Sequence, residues 1–78
     1  MTVGRYNLIK YDSLPDNMEA HTKIRYKDPG AKATLKTEGD KIKVHFHRNV
    51  NAITPGQSAV FYEGDDLVGG GIIESATA

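Results

Sequence analysis

The middle of the chain alternates between apolar and polar residues with a period of two. From position 18 to position 26, every second residue is apolar or a threonine, and the residues between them are charged or histidine. The same alternation continues over residues 31–36 and 41–47. A period of two is typical of a β-strand with one buried and one exposed face. We therefore predict three strands here, with Tyr26 on the buried face of the first.

Turn signals separate these strands. Asp28-Pro29-Gly30 and Glu38-Gly39-Asp40 combine residue types that favour tight turns. A strand is also predicted over residues 5–11, where the alternation breaks at Leu8-Ile9 and indicates a bulge or the burial of both faces. The end of the chain is typical of a β-hairpin, with strands over residues 58–62 and 67–73 around an acidic Gly-Asp turn.

About six short strands without helical periodicity predict an all-β fold, either a small antiparallel barrel or a sandwich. Its 78 residues are enough for one domain, residues 1–78, and no repeat or linker divides them. Residues 1–4 and 75–78 are expected to fray. Three successive glycines, Gly69-Gly70-Gly71, lie inside the last strand. They predict a bulge, a barrel corner or another backbone passing close by.

The formal net charge is zero, but the charge is unevenly distributed. Residues 23–48 hold eight bases and three acids, a net charge of +5, whereas the rest holds two bases and seven acids, a net charge of −5. There is no cysteine, which excludes disulfides and cysteine-ligated metals and fits a cytoplasmic protein. No apolar run approaches the roughly 18 residues that span a membrane, so no membrane partner is expected.

If the apolar faces pack inward, the three middle strands direct their basic residues outward together, because alternate side chains share one face. Lysine and arginine bind phosphate backbones by releasing counterions, so this face is a candidate RNA-binding surface. The alternative is a solvated strand face on which lysine discourages edge-to-edge aggregation. The candidate RNA-binding residues are Lys23, Arg25, Lys27, Lys32, Lys36, Lys41, Lys43, His45, His47 and Arg48.

The other candidate functional sites have less support in the sequence than the basic face. His45 and His47 share a strand face and could join His21 in a metal site, but zinc requires three or four well-placed ligands, and we predict none. The acidic turn and the three glycines are better explained by local structure than by catalysis or phosphate binding. An exposed tyrosine beside the basic strands could stack on a base, although core or rim packing is favoured for the aromatic residues. No catalytic, cofactor-binding or metal-binding residue is predicted.

Two segments carry a family resemblance. Lys23-Ile24-Arg25-Tyr26 is followed at a distance by Thr54-Pro55-Gly56-Gln57-Ser58, then Val60-Phe61-Tyr62, the acidic turn and the glycines. This set resembles the C-terminal β-barrel of the bacterial tRNA-specific 2-thiouridylases. The resemblance covers about residues 23–73. The motifs are fairly specific for the family when they occur together, whereas each motif alone is a weak signal. It implies a barrel similar to the second domain of translation elongation factors and to the barrel of aminomethyltransferase-like proteins.

The resemblance also implies a function. The whole enzyme would activate the wobble uridine of tRNA with ATP and replace its 2-oxygen with sulfur, which a sulfur-carrier protein supplies. The family's ATP-binding glycine-serine loop and its two catalytic cysteines have no counterpart in this chain, so no catalytic residue carries over. The implied role is a non-catalytic domain of a longer cytoplasmic enzyme that helps to hold tRNA and contacts the other domains of the same polypeptide. The alternatives are a purely structural packing barrel and a translation-factor-like module.

Overall fold

The computed structural model describes residues 1–77, so that Ala78 lies outside the described residues. It contains six strands: β1 (Thr2–Leu8), β2 (Met18–Lys23), β3 (Ala31–Glu38), β4 (Lys41–Phe46), β5 (Ser58–Glu63) and β6 (Asp66–Ser75). All neighbouring pairs are antiparallel, and the order β1-β4-β3-β2-β5-β6 closes on itself as a barrel. The predicted all-β barrel is confirmed.

The core lies inside this barrel and is filled by alternate residues of the six strands. The largest fully buried side chain is Phe61 of β5, surrounded by aliphatic residues that include Leu35, Ile42 and Ile73. Tyr6, Tyr11 and Phe46 pack against this core while remaining partly exposed. The expectation that aromatic residues pack in the core or at its rim is thus correct for Phe61, Tyr6, Tyr11 and Phe46.

Tyr26 is an exception, because its side chain is 98% exposed. The strand β2 ends at Lys23, three residues earlier than the alternation predicts. A carboxylate oxygen of Asp28 accepts a hydrogen bond from the backbone N–H of Ile24, at 3.1 Å. This local bond turns the chain away from the sheet and takes Tyr26 out of the predicted pattern.

The first strand begins earlier than predicted, and residues 1–4 are not frayed. Val3 is completely buried, and the backbone of Met1 exchanges two hydrogen bonds with Val44, at 2.8 and 3.0 Å. The register of this strand against β6 shifts twice, between Thr2 and Val3 and again between Gly4 and Asn7, where Arg5 has a φ of 47°. The bulge is therefore present, but it lies earlier in the chain than Leu8-Ile9.

The strand β6 is the element that closes the barrel, because it pairs with β1 on one side and with β5 on the other. A Cβ atom at Gly70 would lie 2.7 Å from the carbonyl oxygen of Ala59, and one at Gly71 would lie 2.6 Å from that of Gly4. Real Cβ atoms do not approach backbone oxygens so closely. Of the three explanations proposed for the glycines, the close passage of another backbone is confirmed.

We expect Gly71→Ala to destabilise the barrel by about 3 kcal/mol, because the added methyl group must push β1 away from β6. The matched control is Gly39→Ala, at a turn with a φ of 61° and nothing within 4 Å of a Cβ atom. It should cost only about 1 kcal/mol, from backbone conformation alone. Urea denaturation measures both, and equal losses would contradict the steric explanation.

Candidate nucleic-acid interface

The three basic strands are neighbours in the barrel, as the proposed interface requires. β3 lies between β2 and β4, and the register pairs His21 with Lys32, Thr34 with His45, and Lys36 with Lys43. Ala33 and Leu35, which alternate with these residues on β3, are fully buried. The outward side chains of the three strands therefore form one continuous surface.

We call the ten predicted residues the basic face. They are not equally accessible. Seven are exposed, and the three others, Lys23, Lys41 and Lys43, are half-buried. The exposed members are Arg25, Lys27, Lys32, Lys36, His45, His47 and Arg48.

One end of the basic face contains two lysines directly opposite each other. Lys36 on β3 pairs with Lys43 on β4. The Lys43 ammonium donates a hydrogen bond to Thr2 Oγ1, at 3.0 Å, and neither lysine has a carboxylate within 4 Å among residues 1–77. Like charges opposite each other destabilise a strand pair. An anion bound between them would remove this repulsion.

Lys41 lies at the edge of the basic face and already has a partner. Its Nζ atom is 2.6 Å from Glu74 Oε2, on β6. This hydrogen bond with Glu74 raises the pKa of Lys41. Lys41 therefore contributes less free positive charge to the face than Lys43 does.

The histidines have separate polar contacts. The Nε2 atom of His47 is 2.8 Å from Thr34 Oγ1 and 3.8 Å from Glu19 Oε2, across the face. The Nε2 atom of His21 is 2.9 Å from the carbonyl oxygen of Pro29. Within the described part of the chain, no three histidine, aspartate or glutamate residues are grouped so that they could hold a metal ion.

The other end of the basic face is formed by the turn that connects β2 and β3. The two carboxylate oxygens of Asp28 accept hydrogen bonds from the backbone N–H groups of Ile24 and Gly30. Burial by itself would raise the pKa of Asp28, but these two bonds, with Arg25 and Arg48 nearby, outweigh it and lower the pKa below its usual value. The turn is therefore fixed by an ionised carboxylate.

This turn and the β4–β5 connection form a polar cleft that sequence reasoning did not find. Arg25 donates to the carbonyl oxygens of Ala52 and Asn51, at 3.0 and 3.4 Å, and ties the two segments together. The Lys23 ammonium lies 5.3 Å from the centre of the Tyr62 ring. The cleft is lined by Lys23, Arg25, Tyr26, Gln57, Ser58, Val60 and Tyr62. The two segments that carry the family resemblance thus meet here, although nothing in their spacing indicates it.

The acidic turn joins β5 to β6, and Lys10 pairs with two of its carboxylates. The turn borders the basic face, because Glu63 and Asp65 line one pocket with His21 and Lys32. Lys10 Nζ is 2.8 Å from Glu63 Oε1 and 2.7 Å from Asp66 Oδ2, and the Tyr11 hydroxyl donates to Glu63 at 2.6 Å. Hydrogen bonds from Lys10 and, to a smaller extent, from Tyr11 lower the pKa of Glu63. These contacts support a structural role for the turn.

A small closed barrel with a basic face, a polar cleft and a core of its own is typical of a binding domain. The family model described as the aminomethyltransferase beta-barrel domain matches residues 1–73. The chain belongs to this family.

Curated relatives agree with this assignment. The chain is 49% identical to the tRNA-specific 2-thiouridylase MnmA of Amoebophilus asiaticus and 46% identical to that of Cytophaga hutchinsonii, over 97% of its own length in both cases. It is also 52% identical to MnmA 2 of Clostridium tetani over 87% of its length. The chain covers 20%, 21% and 19% of these proteins respectively, about a fifth of each. The resemblance to the 2-thiouridylase barrel is confirmed.

Residues 1–77 contain no helix long and apolar enough to cross a membrane.

We expect the turn that holds Tyr26 to loosen in acid. The folded-state pKa of Asp28 is lowered, so its contribution to stability is complete above the unfolded value of about 4. The contribution is lost as the pH falls through the lower folded-state pKa. The amide proton shifts of Ile24 and Gly30 should therefore move in NMR spectra below about pH 4.

Asp28→Asn is the non-titrating control, because asparagine keeps one acceptor oxygen, enough for one of the two N–H groups, and carries no ionisable group. The two amide shifts should stay constant over this pH range in that variant. An identical titration in parent and variant would show that another group fixes the turn.

Proposed function

We propose that this chain is the C-terminal, non-catalytic barrel of a tRNA-specific 2-thiouridylase, and that its basic face helps to hold tRNA. The observation that carries the proposal is the surface of β2, β3 and β4. Three adjacent strands direct basic side chains to one side, and Lys36 lies opposite Lys43 without a carboxylate partner among residues 1–77. A row of phosphates supplies the charge that would stabilise this arrangement.

The relatives' printed names support a tRNA substrate for the longer polypeptide of which such a barrel would form a part. The chemistry of thiolation, with its ATP and its sulfur-carrier protein, would belong to the remaining four-fifths of that polypeptide. The barrel itself would contribute affinity and orientation. Because phosphate contacts position a nucleic acid without reading its sequence, it would not select the modified base. The proposed location is the cytoplasm.

We expect the isolated chain to bind tRNA with an affinity that falls steeply with salt, since each phosphate contact contributes about 0.7–0.9 to the slope of log K against log salt. Lys36→Glu should weaken binding and lower this slope by about one. Arg5→Glu makes the same change of charge at an exposed residue of β1, next to Lys41 at the edge of the basic face, and should lower the slope by less. Fluorescence anisotropy with labelled tRNA at several salt concentrations measures both. The proposal fails if a folded parent does not bind, or if both variants lose affinity equally.

A second candidate role, packing against other domains, is favoured by a different surface. Ile9, Leu67 and Ile72 are 62%, 42% and 36% exposed, and all three line one shallow groove beside the three glycines. Exposed apolar residues that cluster in one place mark interaction surfaces. The groove involves β1, β5 and β6, on the half of the barrel away from β3, so both roles can coexist.

We expect the double variant Ile9→Ser, Leu67→Ser to lower the melting temperature of the full-length enzyme while leaving that of the isolated barrel nearly unchanged. The reason is that the groove would be covered only in the longer polypeptide. Differential scanning calorimetry of both forms measures the difference. An unchanged full-length protein would contradict the packing role, and an equal loss in both forms would show that the two residues serve the barrel itself.

A further inference from the structure

Tyr26 is the most unusual residue on the surface. Its ring is 98% exposed, although tyrosine normally buries most of its apolar ring. The Asp28 carboxylate fixes the turn on both sides of it, through the N–H groups of Ile24 and Gly30, at 3.1 and 2.9 Å. An aromatic ring on a fixed turn presents a flat apolar surface to solvent at little conformational cost.

The surroundings of the ring are cationic and polar. Lys23, Arg25 and Lys27 flank it in the sequence, and the Lys23 and Arg25 side chains share the cleft with it. On the opposite side, Gln57 and Ser58 contribute an amide and a hydroxyl group. The basic face continues from the cleft across β2, β3 and β4.

These groups match one kind of ligand. A base has a π-face that stacks on an aromatic ring, edges that hydrogen-bond to amides and hydroxyls, and an adjoining phosphate that binds a cation. In a duplex the bases are stacked inside and cannot reach the ring. A protein partner is less favoured in the cleft itself, because the exposed aliphatic residues Ile9, Leu67 and Ile72 line the adjoining groove, which shares only Ser58 and Val60 with the cleft.

We propose that the cleft beside Tyr26 binds an unpaired nucleotide of the RNA, with the base stacked on the Tyr26 ring and its phosphate near Lys23 and Arg25. The inference rests on the proposed function, since the basic face must first hold the RNA. It adds a preference that the basic face alone does not give: RNA with an unpaired loop or bulge is bound more tightly than a fully paired duplex of equal length.

The test uses the 78-residue chain with two labelled probes, an RNA hairpin with an unpaired loop and a blunt duplex of equal length. Tyr26→Ala should weaken hairpin binding by about 5- to 150-fold, the range for the loss of one stacked base. Duplex affinity and the salt slope should stay as in the parent. Tyr26→Phe, which keeps the ring, should bind the hairpin almost as the parent does.

A second measurement does not depend on a variant. The Tyr26 ring protons of the parent should shift upfield in NMR spectra when the hairpin is added, because they enter the ring current of a base. They should not shift when the duplex is added. This keeps the proposal testable if Tyr26→Ala alters the turn.

The outcomes separate the two proposals. If the parent binds RNA with a steep salt slope but Tyr26→Ala binds the hairpin equally well and the ring protons do not shift, the nucleotide site is wrong and the basic face stands. If Tyr26→Ala weakens the binding of the hairpin and of the duplex equally, the Tyr26 ring does not select an unpaired base. If Tyr26→Ala changes only the melting temperature of the full-length enzyme, the cleft contacts protein. If the folded parent binds neither probe, both proposals fail.

Discussion

The whole structure depends on the backbone pairing of β6 with β1 and β5. A six-stranded sheet of this kind has two edges with unpaired N–H and C=O groups, and closure is the arrangement that removes both. Closure brings the backbones around Gly69, Gly70 and Gly71 into contact. It therefore requires that the last strand carry no side chain at the positions where its neighbours pass. The core around Phe61 is enclosed once this seam is formed.

Much of the fold can be read from the sequence where burial alone determines the pattern. On β2, β3 and β4 one side of the sheet is buried and the other is in water, so apolar and basic residues alternate and their faces could be predicted. The closing hairpin is equally clear, because Gly64 and the acidic residues around it define its turn. The failures occur where local hydrogen bonds compete with the sheet. Asp28 ends β2 early, and the left-handed conformation at Arg5 shifts the register of β1.

The candidate site was predictable to the same extent. The alternation predicts which basic residues point outward. Which of them lie together depends on the strand order and on contacts with residues distant in sequence. Glu74 pairs with Lys41 across 33 residues, and no periodicity could reveal this contact. The cleft depends on Arg25 reaching the carbonyl oxygens of a connection about 27 residues later. A sequence motif identifies the residues of a site but does not show that they are neighbours in the fold.

The division of charge around the barrel has a consequence for how the domain meets its ligand. The basic strands β2, β3 and β4 are adjacent, whereas five of the ten acidic residues lie in β5, β6 and the segment before β2, and a sixth lies in the β5–β6 turn. Residues 23–48 carry a net charge of +5 and the rest of the chain −5, within a body of 30 × 26 × 19 Å. The neutral molecule therefore has an uneven charge distribution, although Glu19 and the acidic turn lie beside the basic strands. The field of a polyanion turns such a molecule so that its positive side faces the polyanion, while the zero net charge leaves little net attraction at long range. If the basic face binds RNA as proposed, this uneven charge would favour an approach with that face forward, and at physiological salt, where the Debye length is about 8 Å, the effect would act only at short range.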